Sequence, residues 1–478
     1  MSPRTRLRPC HPDASAATLA AMKLPAATLA LLSAAALACA EEPRASTQFP
    51  ELADLPDRTE ELRRRVADEG ALILEPGVHR ITGTIEIVLE GRRSVVVRPA
   101  SGPATLVMDG PGPALRIVGS HEGSANPRAF QPTTWNERMP IVEGIEIVGN
   151  HPEADGIELF RTFEAIVSKV AVRWCRHGIR LHERNRNVTV SDVNLYENQG
   201  VGLFLDDVNL HQINVSNSHI SYNRGGGIVV RDGNVRNLQV TGCDIEANMP
   251  ANDKPTSTAN ILLDVSGSPE DRSRSIAEVA ITGCSIQHSS NYSGSDFDKL
   301  APGGANIRLL GKAIAPIDSV TITGNVLSDV SVNVDLRDCT DVTFTGNVLF
   351  APNPDNLHVV RGKRIVVNGN TFNPREFNRP GRIVFEESED CIFANNTLRA
   401  LESDDGVLVV RDSARLRLSG NLITESGSGI RVERSSDLLV SDWVVSGLPP
   451  GVPFVAVDDA SSNISEGNNL LAEPNPDE

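Results

Sequence analysis

Apolar and polar residues alternate in short segments along most of the chain. Residues 320–325 read VTITGN, and residues 342–347 read VTFTGN, 22 positions later. An alternation with period two is typical of strands that bury one face. Because similar segments recur at a spacing of mostly 22–26 residues, the pattern predicts a stack of equivalent strand-containing coils in place of separate globular domains.

Each repeat contains two alternating segments and a short third one. The VTITGN-like column comprises residues 145–150, 170–175, 238–243, 279–284, 320–325, 342–347, 365–370, 391–396 and 416–421. The column that follows it along the chain comprises residues 156–160, 178–182, 202–206, 227–231, 260–264, 306–310, 333–337, 356–360 and 429–433. An apolar pair such as Val326 and Leu327 completes each coil. We expect about twelve coils, stacked at the usual spacing of parallel strands.

Asparagine closes most segments of the VTITGN-like column. Its members are Asn325, Asn347, Asn370, Asn396 and Asn421. Asparagine tolerates left-handed backbone at a sharp corner, and its amide can bond the equivalent residue one coil away. Cys175, Cys243 and Cys284 occupy the same column. They are therefore predicted to be small buried members of this ladder, and neither metal ligands nor disulfide partners.

The first 39 residues are predicted to be an export signal, and Met22 is an alternative start. Lys23 precedes an apolar run over residues 24–38, which is too short for a confident membrane span. Residues 36–38 fit a small-x-small cleavage site, which favours plain secretion. Cys39 follows Ala38 as in the end of a bacterial lipobox, so lipidation of Cys39 is the alternative.

Three further parts follow the signal. Residues 40–69 are predicted to form an N-terminal cap with a short amphipathic helix over residues 57–67, in which Asp57 and Glu60 have capping-box spacing. Residues 70–465 form the repeat array, and residues 466–478 form an acidic tail.

The repeat array resembles the right-handed parallel β-helix superfamily, the pectate-lyase-like fold. The resemblance rests on the coil length, the asparagine corner and the order of three strands, and no specific enzyme family is matched. It implies an all-β solenoid with a carbohydrate cleft along the outer face of the first strands. It also labels the column that starts with residues 156–160 as first strands, and the VTITGN-like column as second strands.

The formal net charge of −17 disfavours binding to nucleic acid or to an anionic membrane surface, because like charges repel. A membrane contact is expected only through a lipid on Cys39. We expect a monomer exported from a bacterium, located outside the cell, in the periplasm or on the outer membrane. An acidic sugar polymer stays compatible with this charge where local cations or a metal ion offset the repulsion.

Charged residues concentrate at outward positions of the first strands. One row contains Glu158, Arg180 and Arg308, and the row two residues further on contains His182, Asp206, Arg231, Asp264 and Arg337. We predict Glu158, Arg180, Arg308 and Arg337 as substrate-binding residues. Trp135, in the long loop of residues 120–140, is added because aromatic rings stack against sugars.

The row with His182, Asp206, Arg231 and Asp264 is the predicted catalytic site. Asp206 and Asp264 lie two coils apart, about 9.6 Å along the stack, which is at the upper edge for an inverting glycosidase pair. Alternatively, these carboxylates, with the neighbouring Asp207 and Asp232, hold a hard cation such as Ca²⁺. Arg231 or His182 then removes the C5 proton of a uronate.

The sequence thus predicts an exported protein that binds and cleaves a polysaccharide, as a lyase or a glycoside hydrolase. The alternative is a non-catalytic glycan-binding or structural surface protein, because opposite charges on adjacent strands also stabilise a sheet by themselves, at about 0.2–1 kcal/mol per pair. A helper in metal-cofactor assembly has similar repeats, but no His/Cys/Met cluster outside the buried columns supports that function here.

Overall fold

A computed structural model describes residues 48–89, 95–122, 128, 132–250, 255–288, 302–374 and 381–472. The predicted export signal, including Cys39, lies outside these residues. Among them, the strands pair in parallel from coil to coil, which confirms the predicted all-β solenoid. No helix within the described ranges has the length and apolar character needed to cross a lipid bilayer.

One sheet contains fifteen strands, one for each coil, and corresponds to the predicted third strands. Its strands are Gly77–Ile81, Ala104–Met108, Glu146–Gly149, Ala171–Arg173, Asn194–Tyr196, His219–Ser221, Asp244–Glu246, Ser285–Gln287, Val326–Ser328, Val348–Phe350, Thr371–Phe372, Thr397–Arg399, Leu422–Thr424, Val444–Ser446 and Leu470–Leu471. The estimate of about twelve coils was therefore too low. The additional coils come from residues 72–118 and from the C-terminal end, where the repeat is less regular.

The first and second strands together form a sheet of 27 strands. The first strands are Ile85–Val88, Gly112–Val118, Ala154–Phe160, Gly226–Arg231, Ala259–Asp264, Ala305–Leu310, Val332–Arg337, Asp355–Val360, Arg382–Glu386, Leu408–Arg411, Ile430–Glu433 and Val455–Val457. The second strands are Leu72–Leu74, Val96–Pro99, Ile141–Glu143, Ile166–Ser168, Asn234–Thr241, Ser275–Thr282, Ile317–Thr323, Cys339–Thr345, Lys363–Asn368, Ile392–Ala394, Ala414–Ser419, Ser436–Ser441 and Ser462–Gly467. Two long strands, Ile179–Ser191 and Val201–Ser216, run through both columns and join them.

Two segments were assigned to the wrong column from the sequence. Residues 145–150 and 170–175 were predicted as second strands, but Glu146 pairs with Ala171, and Ala171 pairs with Asn194, in the third-strand sheet. Cys175 therefore lies at a different corner, where its backbone N–H donates to Asn198 Oδ1 at 3.0 Å. Alternation with period two distinguishes inside from outside, but it does not distinguish one strand column from another.

The predicted asparagine ladder is present and extends through both of the other cysteines. The side chains of Asn325, Asn347, Asn370, Asn396 and Asn421 are hydrogen-bonded in series and almost fully buried. Cys284 N–H donates to Asn325 Oδ1 at 2.9 Å, and Cys243 N–H contacts Cys284 Sγ at 3.5 Å. Cys243 and Cys284 thus occupy the ladder as predicted, and both are free thiols.

A second asparagine ladder, which the sequence did not reveal, lines the corner before the first strands. Its members are Asn198, Asn223, Asn248, Asn260, Asn306, Asn333 and Asn356. The ladder changes position in the coil between Asn248 and Asn260, only 12 residues apart in the chain. In earlier coils a glycine starts the first strand, because a Cβ on Gly227 would lie 2.9 Å from Asn248 Nδ2. In the next four coils asparagine itself takes that position, as Asn260, Asn306, Asn333 and Asn356.

An N-terminal helix, α1 (Thr59–Glu69), begins two residues later than predicted. It follows a short 3-10 helix, Leu52–Asp54, and a further helix, α2, spans Pro132–Asn136. The predicted capping box does not form, because the N-cap residue is Arg58 and not Asp57. Glu60 pairs with Arg63. Asp57 Oδ1 instead accepts hydrogen bonds from the Thr59 N–H and hydroxyl, while Asp57 Oδ2 accepts from the Thr82 hydroxyl. These bonds fasten the start of α1 to the first coils.

We expect Asp57→Ala to weaken the attachment of α1 by about 1 kcal/mol. Burial alone would raise the pKa of Asp57, but the hydrogen bonds from Thr59 and Thr82 outweigh it and lower the pKa from 3.8 to about 2. The stabilisation is complete above pH 3.8 and is lost as the pH falls through about 2. Hydrogen exchange of the α1 amides should therefore show a larger effect of the substitution at pH 7 than at pH 3. An equal effect at both pH values, or the same effect in Asp54→Ala, would contradict this role.

Candidate functional site

The outer face of the first strands carries a row of alternating charges in register across adjacent coils. Glu86, Arg116, Glu158 and Arg180 lie opposite one another on successive strands. Their ion pairs measure 3.5 Å for Glu86–Arg116, 2.9 Å for Arg116–Glu158 and 3.4 Å for Glu158–Arg180. Arg180 continues the series to Asp206 at 2.6 Å. We call these five residues the charged row.

Four residues of the charged row, Glu86, Arg116, Glu158 and Arg180, line an open groove of about 690 Å³, which we call the N-terminal groove. Its lining comprises Arg63, Thr84, Glu86, Pro113, Arg116, Glu158, Arg180 and His182. Three arginines and two glutamates give this lining a net positive charge, in contrast to the chain as a whole. Arg63 comes from α1, and its Nε donates to the Thr84 carbonyl at 2.9 Å. The helix therefore forms one wall of the groove.

An aromatic ring, Phe160, lies beside the charged row. The guanidinium carbon of Arg116 lies 5.1 Å from the ring centroid, and that of Arg161 lies 5.3 Å from it. The His182 ring is 6.0 Å away between centroids. The predicted aromatic, Trp135, is 41% exposed but packs edge-on against Phe163 at 5.5 Å and does not line the groove. Its predicted sugar contact is thus separate from this groove.

The four residues predicted to be catalytic are indeed neighbours across consecutive coils. His182 pairs in register with Asp206, Asp206 with Arg231, and Arg231 with Asp264. Asp206 accepts from Arg180, and Asp264 Oδ1 accepts from the Ser266 N–H and hydroxyl at 2.9 and 2.7 Å. The Arg231 guanidinium lies 5.2 Å over the Phe204 ring. Each carboxylate is thus held by its own partner, and their catalytic roles stay predictions.

The carboxylates suggested for calcium do not converge on a common point. Asp207 and Asp232 both face Arg274, at 2.8 and 3.5 Å, so a guanidinium lies between them. Among the described residues, the three-ligand cluster that could hold a metal ion lies elsewhere, on the third-strand sheet. Two of the proposed calcium ligands, Asp207 and Asp232, therefore belong to an ion-pair network around Arg274.

The centre of the first-strand face is covered, and the predicted groove is not continuous. Phe204, Val229 and Leu262 stand at outward positions, yet they are only 4%, 0% and 7% exposed and form a separate apolar cluster. His177 packs on Phe204 at 5.0 Å, and its Nδ1 accepts the Val201 N–H at 3.1 Å. Burial lowers the pKa of His177, which agrees with a neutral ring in that position.

A second groove of about 400 Å³ lies beyond this cover. Its lining comprises Thr256, Ser257, Ser266, Gly303, Arg308, Leu310, Gly311, Asp335, Arg337, Asp338 and Arg361. Arg308 is nearly buried and donates to Asp335 at 2.8 Å, to Ser257 O at 2.6 Å and to Gly303 O at 2.8 Å. Its donors are therefore used to hold two loops. Arg337 also pairs with Asp335, but 43% of its side chain is exposed and available to a ligand.

Two family models match successive parts of the chain. The first, described as a right handed beta helix region, matches residues 136–268. The second, described as periplasmic copper-binding protein (NosD), matches residues 278–473. The chain belongs to the right-handed parallel β-helix superfamily. No curated protein matches this β-helix by sequence.

Several solved structures share the β-helix fold at low identity. A mannuronan C-5 epimerase A-module from Azotobacter vinelandii is 15% identical, with a TM-score of 0.41, over 88% of this chain and 97% of that one. The tailspike protein gp49 from Pseudomonas phage LKA1 is 12% identical, with a TM-score of 0.47, over 87% and 79%. The ORF18 protein of Geobacillus virus E2 is 14% identical, with a TM-score of 0.43, over 70% of this chain and 59% of that one. The likeness extends to the fold alone.

Sequence analysis found part of the N-terminal groove and missed the rest. Glu158 and Arg180, predicted to bind substrate, and His182, predicted to be catalytic, line it, and these roles stay predictions. Arg63, Glu86 and Arg116 were missed, because the repeat was less regular before residue 119 and the outward row was not extended into it. Residues 85–88 and 112–118 show the same inward and outward alternation as the later first strands. Treating them as first strands would have placed Glu86 and Arg116 in the outward row.

Proposed function

We propose that this β-helix protein binds a polysaccharide along the N-terminal groove. The observation that carries the proposal is the charged row, in which acidic and basic side chains alternate along an open surface beside Phe160. Carboxylates and guanidinium groups together supply acceptors and donors for sugar hydroxyls. Phe160 supplies an apolar ring of the kind that stacks on a sugar face.

An acidic polysaccharide fits this groove better than it fits the rest of the surface. The lining contains three arginines against two glutamates, whereas the whole chain carries a net charge of −17. A guanidinium binds a carboxylate through two parallel hydrogen bonds. Arg116 and Arg180 can offer such bonds to a uronate once their own carboxylate partners yield, and the coil spacing of about 4.8 Å repeats the contact along an extended chain.

The second part of this proposal is that the protein cleaves the bound polysaccharide. Asp206 and Asp264 are its candidates for acid, base or cation ligand, with His182 and Arg231 beside them. The ion pair of Asp206 and the local hydrogen bonds of Asp264 favour binding over turnover. An exported location is likewise proposed, from the apolar run before Cys39 and from the periplasmic description of the family model that matches residues 278–473.

The test is retention of the purified protein on a panel of acidic and neutral glycans, read by affinity electrophoresis. We expect Arg180→Gln to weaken retention by an acidic glycan about tenfold, because it removes the guanidinium between Glu158 and Asp206. The matched control is Arg399→Gln, which removes an exposed arginine paired with Glu425 on the third-strand sheet. Equal binding by the parent and Arg180→Gln would overturn the assignment of the groove.

The same incubations test cleavage. New reducing ends indicate hydrolysis, and ultraviolet absorbance of an unsaturated uronate indicates elimination. Parallel samples contain a chelator, because a calcium-dependent reaction stops when the ion is removed. Turnover that persists unchanged in Asp206→Asn and Asp264→Asn would exclude these carboxylates from the reaction. Retention without any product would favour the non-catalytic glycan-binding function.

A further inference from the structure

Three arginines and a histidine gather on the outer face, where the first strands continue into the second strands. Arg186, His211 and Arg236 are in register on three successive coils, which stack at about 4.8 Å. Arg184 precedes Arg186 on the same strand, and Asn185 between them is fully buried, so both arginines point away from the core. We call Arg184, Arg186, His211 and Arg236 the basic cluster. None of these four residues lines either groove.

Like charges are adjacent in the basic cluster, in contrast to the alternating charges of the charged row. Like charges in register destabilise a sheet. Burial, followed by the charges of Arg186, Arg184 and Arg236, lowers the pKa of His211, although Glu278 acts in the opposite direction. The cluster therefore repels a further positive charge, and a bound anion would relieve this repulsion.

Arg184 is nearly buried, yet its charge has no counter-ion among the described residues. It is 9% exposed, and the comparably buried Arg173 and Arg308 are each paired with a carboxylate at 2.8 Å. Arg184 Nη1 donates to the Asn209 carbonyl at 3.1 Å and to Asn209 Oδ1. No described residue accepts a hydrogen bond from its Nε or Nη2, and the Nε is buried. Because a buried cation without a counter-ion is unfavourable, this arrangement indicates a site for an anionic ligand.

The two donors that Arg184 leaves without an acceptor are the ones with which other arginines of this chain hold oxyanions. Nε and Nη2 of Arg361 donate to the two oxygens of Asp338 at 2.8 and 2.7 Å. Arg434 holds both oxygens of Asp412 in the same way, at 2.7 and 2.6 Å. This edge of a guanidinium binds two oxygens of one oxyanion through parallel hydrogen bonds. Arg184 therefore presents a complete oxyanion-binding edge.

His211 and Arg236 add a donor and a fixed charge beside this edge. His211 follows Asn209 by two residues on the adjacent strand, and its buried Nδ1 has no hydrogen-bond partner among the described residues. Arg236 donates to the Ser275 carbonyl and hydroxyl at 2.8 and 2.7 Å. These acceptors are uncharged, so they hold the Arg236 guanidinium in place without neutralising it.

The carboxylates near the basic cluster do not neutralise it. Glu164 attracts Arg186, and Glu278 attracts His211. Within the described ranges, neither glutamate pairs with Arg184, whose side-chain hydrogen bonds both go to one asparagine. A net positive site thus persists on a chain whose formal charge is −17.

We propose that the basic cluster binds a sulfate or phosphate group. Two of its oxygens accept from Nε and Nη2 of Arg184, and a third faces His211. Arg186 and Arg236 contribute attraction from the flanking positions. A tetrahedral group with about two negative charges suits donors on two adjacent strands, whereas a planar carboxylate with one charge is satisfied by a single guanidinium. The source is a free inorganic anion or an ester carried by a polymer.

The experiment is calorimetric titration of the full chain with sodium sulfate and with sodium phosphate, at an ionic strength held constant with sodium chloride. We expect one anion per chain, and binding about tenfold weaker in Arg184→Gln, which loses both the charge and the two-donor edge. Arg184→Lys keeps the charge but not the edge, and should bind with intermediate affinity. Arg236→Gln should weaken binding about threefold, because it removes only a flanking charge. Thermal melts without sulfate verify the fold of each variant, and Arg236→Gln decides if Arg184→Gln does not fold.

The matched control is Arg417→Gln, on the outer face of the second strands. Arg417 donates to a hydroxyl, that of Ser419, at 3.0 Å, as Arg236 does to Ser275. Its neighbours in register are Ile392 and Leu439, so it is not part of a row of like charges. Anion binding by Arg417→Gln should equal that of the parent.

A second titration with dextran sulfate and with unsulfated dextran distinguishes the sources. Binding of inorganic sulfate or phosphate that weakens in Arg184→Gln but not in Arg417→Gln supports the site with a free anion as ligand. The same dependence with dextran sulfate alone supports it with a polymer-borne ester. The proposal is overturned if the parent binds none of these anions, if Arg184→Gln and Arg236→Gln bind them as the parent does, or if Arg417→Gln weakens binding equally.

Discussion

Arg308→Met is expected to lower the free energy of unfolding by about 3–5 kcal/mol, because it removes the nearly buried partner of a buried carboxylate and leaves Asp335 only the half-exposed Arg337. Asp335 is 1% exposed and accepts from Arg308 at 2.8 Å. The same guanidinium also bonds the carbonyls of Ser257 and Gly303, which lose their donor in the variant. The measurement is urea unfolding followed by circular dichroism.

The control for this prediction is Arg337→Met. Arg337 contacts the same carboxylate at 2.9 Å, but its side chain is 43% exposed, so its loss should cost less than about 1 kcal/mol. Arg308 was predicted from the sequence to bind substrate. If Arg308→Met keeps its stability but loses glycan retention, the sequence prediction is right and the structural role is wrong.

Asn347→Ala is expected to destabilise the fold by about 3–5 kcal/mol, because each buried polar group left without a partner costs about 1–3 kcal/mol. Asn347 Nδ2 donates to Ile322 O and to Asn370 Oδ1, both at 3.0 Å. Asn347 Oδ1 accepts the Asn325 backbone N–H at 2.9 Å. Alanine removes these three bonds and two more, from Asn325 Nδ2 to Asn347 Oδ1 at 3.0 Å and from Asn347 Nδ2 to Thr345 O at 3.2 Å. Urea unfolding measures the loss.

Two matched variants define what the ladder contributes. Asn347→Ser should recover part of the loss, because Ser388 Oγ accepts a backbone N–H from the adjacent coil, that of Gly362, at another corner. Thr343→Ala, at an exposed position of the same coil, should change stability by less than about 0.5 kcal/mol. A loss in Asn347→Ala no larger than that in Thr343→Ala would show that the ladder contributes little.

The division of the first-strand face changes where ligand binding is expected. The apolar cluster around Phe204, Val229 and Leu262 separates the N-terminal groove from the second groove. Of the five predicted substrate-binding residues, Glu158 and Arg180 line the first groove and Arg308 and Arg337 line the second. The first-strand face therefore does not form a single continuous cleft for one polysaccharide chain. The N-terminal groove is the larger of the two, and four residues of the charged row line it.

The sequence alone predicted the parallel solenoid, the asparagine corner and the register of His182, Asp206, Arg231 and Asp264. These features depend on the number of residues per coil, because that number determines which side chains lie in register on adjacent coils. Cys243 and Cys284 were placed correctly for the same reason. The assignment of residues 145–150 and 170–175 failed, because alternation alone is identical in all three strand columns.

Only the tertiary structure decided which outward residues are accessible and which charges are neutralised. Phe204 and Val229 obey the alternation, yet they are buried. Asp207 is neutralised by Arg274, 67 residues further along the chain. His219, Asp244 and Glu246 form a cluster across two coils that no local sequence motif predicts. Strand periodicity is a local property of the chain, whereas coverage, ion pairing and clustering depend on loop paths and side-chain rotamers that exist only once the coils are stacked.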